Sequence, residues 1–442
     1  MPDSADNLPE PLILQRAQHP ISRNDIDREA LKVLYRLRDA GYTAYLVGGG
    51  VRDLYLGKKP KDFDISTNAR PGQLRKLFRN SRIIGKRFRL VQVFFHGNKI
   101  IEVSTLRCRS EFDPKEEEEQ VLASNNTFGS EAEDAFRRDL TINALFYEIE
   151  NFTIIDYVGG INDLNDKIIR IVGDPERRIT RDPVRIMRAL RHAARNGFTI
   201  EENTWRAILN NIDKLHLCPV SRIRDELFRD LHGNGVAPWC RLAISSGLLP
   251  ELLPFYRDII KAEEMEAEER LNPTRFLLSL MTVADRLHNE GQPLPDHLLI
   301  ACLMLPWAQT KFNLINLRFK GQEAYAFSRD LRDHLDKLLE HLSINRATRE
   351  TITSLLANLP IFIQYADERD WPKWLSRKSY FENGRLFLQI FQESQGGSAA
   401  NIQLVEKLPE RKSKPRKRSG RRGSRNATFT SKKGGIFGLK GH

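Results

Sequence analysis

The sequence changes character once along its length. Up to about residue 172 short strand-like runs alternate with helices. From Asp174 onward the strand signal stops and helical periodicity takes over. Thr43–Val47, Lys61–Ser66, Leu90–Phe95, Lys99–Thr105, Asn151–Asp156 and Lys167–Val172 read as strands, being short and rich in β-branched or aromatic residues. Ile26–Ala40, Val51–Leu56 and Pro71–Phe78 read as the helices between them. Pro183–Ala194, Glu202–Ile212, Ile223–Leu231 and Pro273–Leu287 read as later helices, the last with Asn272 as N-cap and Pro273 at its first position. Residues 1–23, with four prolines, read as loosely structured. The pattern implies an α+β head with a small mixed sheet and flanking helices, followed by an all-α remainder.

Charge singles out the C-terminal end. The formal charge of the 442-residue chain is +12, and twelve Lys or Arg with no Asp or Glu fall between Arg411 and His442. Residues 1–410 are therefore neutral overall. A segment so rich in Arg, Lys, Ser and Gly cannot bury a core and is expected to be disordered alone. Arg411, Lys412, Lys414, Arg416, Lys417, Arg418, Arg421, Arg422 and Arg425 suit a polyanion bound through its phosphates; a solubility tail or an address for another factor is the plainer reading. Four scattered cysteines form neither a CxxC zinc pattern nor a disulfide scaffold. No apolar run reaches the ~18 residues of a membrane span, and Met1-Pro2-Asp3-Ser4 has no signal-peptide pattern. A soluble, cytoplasmic protein is expected. Glu111–Ser130, with Glu116–Glu119, reads as an acidic loop.

The densest chemical signal is Leu46-Val47-Gly48-Gly49-Gly50-Val51-Arg52-Asp53, followed by Asp62-Phe63-Asp64. A strand running through three glycines into a helix lets backbone N–H groups approach a phosphate, and Arg52 can add a charged hydrogen bond. Neither a P-loop nor a GxGxxG spacing is present. Asp62 and Asp64, two apart on one strand, would share a face, with Phe63 toward the core. Paired carboxylates repel unless a cation lies between them, and Mg²⁺ fits their hard oxygens. Glu102, on a later strand, is the candidate third acid. An exposed strand end beside an ordinary turn is the bland alternative for each piece taken singly.

These residues resemble the nucleotidyltransferase signature of the DNA polymerase β superfamily, in the variant shared by bacterial tRNA CCA-adding enzymes and bacterial poly(A) polymerases. The likeness continues through Asp134-Ala135-Phe136-Arg137-Arg138-Asp139, Asn143-Ala144, Asp156-Tyr157-Val158-Gly159-Gly160 and Asp182-Pro183-Val184-Arg185. It is clear over residues 40–200 and weaker beyond. Ile83–Val93 and Asn126–Ser130 look more like the poly(A) polymerase pattern, and the basic tail points the same way.

The resemblance implies template-independent addition of AMP from ATP to RNA 3′ ends, with pyrophosphate released and two Mg²⁺ at the site. It implies Asp62 and Asp64 as metal ligands, and Glu102 and Asp139 as further active-site acids. Gly48, Gly49, Arg52, Arg138 and Asn143 would handle the nucleotide, and Asp182 with Arg185 the adenine edge. Arg181 stands where the family usually has Glu, which leaves the detailed base contacts open. Asp139 and Asn143, four apart, are expected on one helix face. Arg181, Arg185, Arg188, His192 and Arg195 form one stripe, read as a solvated or RNA-binding face. Trp371, Trp374, Tyr380 and Phe381 among Lys373, Arg377 and Lys378 read as core or as an RNA platform. His216, His232 and His288 read as structural.

The organisation implied is a flexible start (1–23), a catalytic head (24–172), a helical neck binding nucleotide and RNA (173–270), a helical RNA-binding body (271–408) and the basic tail (409–442). RNA 3′ ends and ATP are the expected partners, with proteins of RNA degradation or RNA chaperones beside them. A monomer is expected. CCA addition to tRNA, and a catalytically silent RNA-binding scaffold, remain alternatives.

Overall fold

A computed structural model describes residues 9–401 apart from 86–88, 108–127, 266–271, 320–321, 367 and 369. The basic tail, the acidic run Glu116–Glu119 and Cys108 lie outside the described residues.

The head is one eight-stranded sheet. Its strands are β1 (Leu12–Leu14), β2 (Ala44–Val47), β3 (Asp64–Thr67), β4 (Ser81–Ile84), β5 (Leu90–Phe94), β6 (Ile100–Thr105), β7 (Leu145–Glu148) and β8 (Thr153–Asp156), in the order β1-β8-β7-β2-β3-β6-β5-β4. All neighbours are antiparallel except β3 and β6. Helix Arg28–Asp39 packs on one sheet face through Ala30, Val33, Leu34 and Leu37. Asp27 caps it, accepting from the N–H groups of Glu29 (2.9 Å) and Ala30 (3.3 Å). Leu46, Ile65, Val91 and Val103 face the same core. The opposite face carries only a small apolar group of Tyr45, Val47, Leu106, Ala135 and Phe146. The polar active face lies beside it.

The remainder is helical, as the periodicity predicts. Helices Val184–Asn196, Glu202–Asn211, Val220–Leu231 and Pro273–Asn289 occupy the expected places, and Asn272 caps the last by accepting from Arg275 N–H at 2.7 Å. Trp371, Phe362 and Phe381 cluster in the body, so of the expected aromatic platform only Trp374 stands exposed.

Four expectations are corrected. The start of the chain is not wholly loose: Leu12–Leu14 forms edge strand β1, paired with Asp156–Ile154. Strand structure does not end before Asp174, because β10 (Thr199–Ile200) pairs in parallel with β9 (Ile168–Ile169). The strand expected from Lys61 begins only at Asp64, so Asp62 lies in the loop before it. Helix Glu131–Arg137 stops at Arg138, whose backbone is extended (φ −65°, ψ 164°). Asn143 belongs to a separate 3₁₀ turn, Thr141–Asn143, and Asp139 therefore shares no helix face with it. β4 and β7 were hidden by their neighbours, a basic run in one case and a presumed longer helix in the other.

Candidate active site

The site assembles on the bare face of the sheet. Asp64 and Glu102 are register partners on the parallel pair β3–β6, and Gln92 on β5 is the next in the row. Gln92 Nε2 donates to Glu102 Oε1 at 3.0 Å, fixing that carboxylate. Phe63 turns the other way and packs on the core.

The glycine turn sits directly above. Gly48 has φ 72° and ψ −141°, a conformation open to glycine alone. A Cβ there would stand 3.3 Å from Arg138 Nη1 and 3.9 Å from Asp64 Oδ2. At Gly50 a Cβ would meet the Asp62 carbonyl at 3.3 Å, so the turn and the Asp62 loop are closely packed. Arg138 reaches across this gap. It donates to Asp134 (2.9 Å) and Ser66 (3.4 Å) and lies over the Phe146 ring at 5.2 Å, while its Nε has no partner.

Arg52 is buried against the turn rather than aimed at the acids. Its Nε and Nη2 donate to Asp53 at 2.9 and 2.8 Å, and Nη1 donates to Asn143 Oδ1 at 2.6 Å. His192 Nδ1 lies 3.2 Å from the same nitrogen. Burial, then the charge of Arg52, pushes His192 far below its ordinary range, so it is neutral at pH 7.

One further sequence signature, Asp156–Gly160, proves architectural. Asp156 accepts from the N–H groups of Val158, Gly159 and Ile161 at 2.9–3.0 Å. That turn brings Gly160 against the Thr141 carbonyl, where a Cβ would lie 2.3 Å away. The 3₁₀ turn carrying Asn143 is thereby fixed.

Helix Val184–Asn196 closes the cleft. Its stripe is not a solvated face: Arg188 donates to Asp139 at 3.3 Å, and His192 meets Arg52 and Asn143. Burial alone would raise the Asp139 carboxyl, but Arg188 above all holds it down at about 2. Asp182 Oδ1 and Arg185 Nε and Nη1 are buried without partners, and burial pushes the Arg185 guanidinium down. Arg181 does not belong to that stripe: it ends the preceding helix, Pro175–Arg181, where Asp182 turns the chain, and it is exposed.

Sequence reasoning missed two supports. Arg178 donates to the carbonyls of Arg137 (2.8 Å) and Arg138 (2.5 Å), capping the helix end that delivers Arg138 and Asp139. Glu226 accepts from Arg188 at 3.1 and 3.2 Å and pairs with Arg191. Only a three-dimensional arrangement could reveal either.

A divalent cation suits the acids. Burial first, then Glu102, raises the Asp64 carboxyl; Arg138 opposes this and Asp62 adds to it. Asp64 thus has too little positive charge nearby to offset its burial. Among the described residues no three Asp, Glu, His or Cys side chains form a complete metal cage. Mg²⁺ needs none, since it keeps waters and takes its remaining oxygens from phosphates.

Acids in register on a mixed sheet, beneath a glycine turn and closed by a helical neck, define a nucleotidyltransferase. The family model described as the Poly A polymerase head domain matches residues 44–170. A second, described as the probable RNA and SrmB-binding site of polymerase A, matches residues 197–260. Poly(A) polymerase I of Salmonella typhi is 42% identical over 344 residues, covering 76% of this chain and 72% of that one. The CCA-adding enzyme of Lactobacillus helveticus is 37% identical over 271 residues, covering 60% and 65%. In fold, the chain is similar to the Bacillus stearothermophilus CCA-adding enzyme crystallised with CTP, with TM-score 0.62, 24% identity and coverage of 86% and 80%. The chain belongs to the bacterial poly(A) polymerase family and is a polynucleotide adenylyltransferase. Among the described residues no helix is long and apolar enough to cross a membrane.

Proposed function

We propose that this site joins AMP from ATP to the 3′ hydroxyl of RNA, one nucleotide after another and without a template. The observation carrying the reading is the register of Asp64 with Glu102 beneath the Gly48 turn. The 3′ oxygen attacks the α-phosphorus, the bond to the β-phosphate breaks, and pyrophosphate leaves. Asp62 and Asp64 would hold Mg²⁺, which supplies charge to neutralise the phosphates in flight. Glu102, with one oxygen accepting from Gln92, would receive the hydroxyl proton. Backbone N–H groups of Gly48 and Gly49, with Arg138, take the triphosphate. Arg52, Asn143 and His192 position the turn and offer donors at its rim. Asp139 keeps its charge in the Arg188 pair and anchors the nucleotide side of the cleft.

The free Asp182 oxygen and Arg185 N–H groups form an acceptor and donors suited to the adenine edge. Buried polar atoms without partners are costly, and a base would satisfy them. The division into head (24–172), neck (173–270) and body (271–408), the tail's grip on RNA, a monomeric state, a cytoplasmic location and a role in RNA processing and turnover belong to the same reading.

The test offers each nucleoside triphosphate singly, with Mg²⁺, to a generic RNA and to a tRNA lacking its terminal CCA. Long extension with ATP alone on the generic RNA is expected. Limited C, C, A addition confined to the tRNA would establish the CCA-adding alternative. No extension of either RNA would leave a silent RNA-binding scaffold.

A further inference from the structure

From Ile65 to Ile101 the chain holds nine Lys or Arg and no Asp or Glu. The neutrality of residues 1–410 conceals this run. In the fold it covers helix Pro71–Leu77 and strands β4 and β5, at the outer edge of the sheet. Arg75, Lys76, Arg79, Arg82 and Arg89 are exposed there. Lys86 and Arg87 lie outside the described residues and form no part of the site.

A cavity of about 250 Å³ opens at this edge, lined by Gly72, Ile83, Arg89, Arg107 and Phe128 among others. Ile83 and Phe128 leave 39% and 40% of their surface open. The Arg70 guanidinium lies over the Phe128 ring at 5.3 Å. Burial, with Arg137 next, pushes the Arg107 guanidinium down, and Asp134 opposes this only in part. An open aromatic ring among cations is the arrangement that single-stranded nucleic acid uses: the ring takes a base and the cations take phosphates.

Two observations tie the cavity to the reaction. Ile83 and Arg89 come from one of the stretches whose pattern separates poly(A) polymerases from CCA-adding enzymes, and Phe128 comes from the other. An antiparallel bridge between Arg107 and Phe128 brings the second stretch in. In addition, Arg82, Gln92, Glu102 and Asp64 form one continuous cross-strand row on the active face. Ile83, in register with Val91 and Val103 on the core face, turns the other way, so the cavity lies around the sheet edge from Arg82. At ~4.8 Å per strand, the edge lies roughly 14 Å from Asp64, a span that a few nucleotides cover. An enzyme that lengthens generic RNA has no folded tRNA to grip, so it gains from a hold on the strand itself.

We propose that this edge of the head is an RNA site: the cavity seats one base of the single strand behind the growing 3′ end, stacked on Phe128, while Arg70, Arg89 and Arg107 hold adjacent phosphates. The proposal rests on the reading that RNA is the substrate.

The full chain and its variants Phe128→Ala and Arg89→Ala are titrated with a labelled single-stranded oligoadenylate at several salt concentrations. Melting temperature and the KM for ATP are measured alongside. Phe128→Ala is expected to raise the oligoadenylate Kd roughly 5- to 30-fold, the worth of one stacked base. Arg89→Ala should flatten the salt slope by about one. The KM for ATP should not change in either variant. Arg89 is exposed, so its variant keeps the test open should Phe128→Ala prove unstable. Wild-type Kd and salt slope in both variants would overturn the proposal, as would a change in ATP affinity with RNA binding intact. If the variants lose oligoadenylate binding while the wild type adds AMP to no RNA, the surface stands and the activity reading falls.

Discussion

His192 shows how one side chain couples the site to solution conditions. It faces Arg52, Asp139, Arg191 and Arg195, and burial with Arg52 keeps it neutral. An unfolded histidine takes up a proton near pH 6.5. Protons therefore favour the unfolded chain, and stability that is full above pH ~6.5 falls as the pH drops toward the lowered value of His192. Asp139 acts in a lower window. Held at about 2 in the fold, it contributes above pH ~4 and loses that contribution as the pH falls toward 2. Melting temperature measured from pH 8 to pH 5 should fall more steeply for wild type than for His192→Gln; equal slopes would contradict the buried neutral assignment. At the same scale, Asp64→Ala and Asp62→Ala should each abolish AMP addition while oligoadenylate binding stays within about twofold. Near-wild-type turnover in either would remove that acid from the metal site.

Between the helices Val184–Asn196 and Val220–Leu231 runs a charge chain: Asp139–Arg188–Glu226–Arg191–Asp230. Glu226 and Arg191 are both buried, and removing one partner leaves the other charged and uncompensated. Glu226→Ala should therefore cost about 3 kcal/mol. Arg206→Ala, at the exposed pair with Glu202, should cost under about 0.5 kcal/mol. Denaturant melts of the two variants compare them directly, and similar losses would refute the buried network. This network also marks the limit of what the sequence discloses. Local chemistry was legible: the glycine turn, the DFD run and Glu102 all announce themselves by residue type and spacing. Yet Asp62 precedes β3 rather than sharing its face with Asp64. The stripe through Arg188 and His192 looked solvated because helical spacing says which residues share a face, not what covers that face. β7 was masked because a helical signature continued through Arg138 toward Asn143, while the backbone turns out of the helix at Arg138.

For the whole molecule, charge is divided between the basic edge of the head and the C-terminal run. Ending the chain at Glu410 should leave single-turnover AMP addition at saturating RNA unchanged. RNA affinity should weaken and its salt slope lose several units, because many phosphate contacts go at once. An unchanged affinity and slope would assign the tail another role.

The single parallel pairing in the head, β3 with β6, also bears on how the enzyme comes into being. Asp64 meets Glu102 only after the intervening chain has passed through β4 and β5, whereas each helix closes its own backbone hydrogen bonds four residues apart. Such non-local closure is slow relative to helix assembly. All five tryptophans lie at or beyond residue 205, so fluorescence excited selectively at tryptophan watches the helices and is blind to the sheet, whose Tyr45 and Tyr147 it does not excite. After dilution from denaturant, fluorescence should recover ahead of AMP addition, and the lag between them is the time the sheet needs to close. Simultaneous recovery would mean that both parts fold as one cooperative unit.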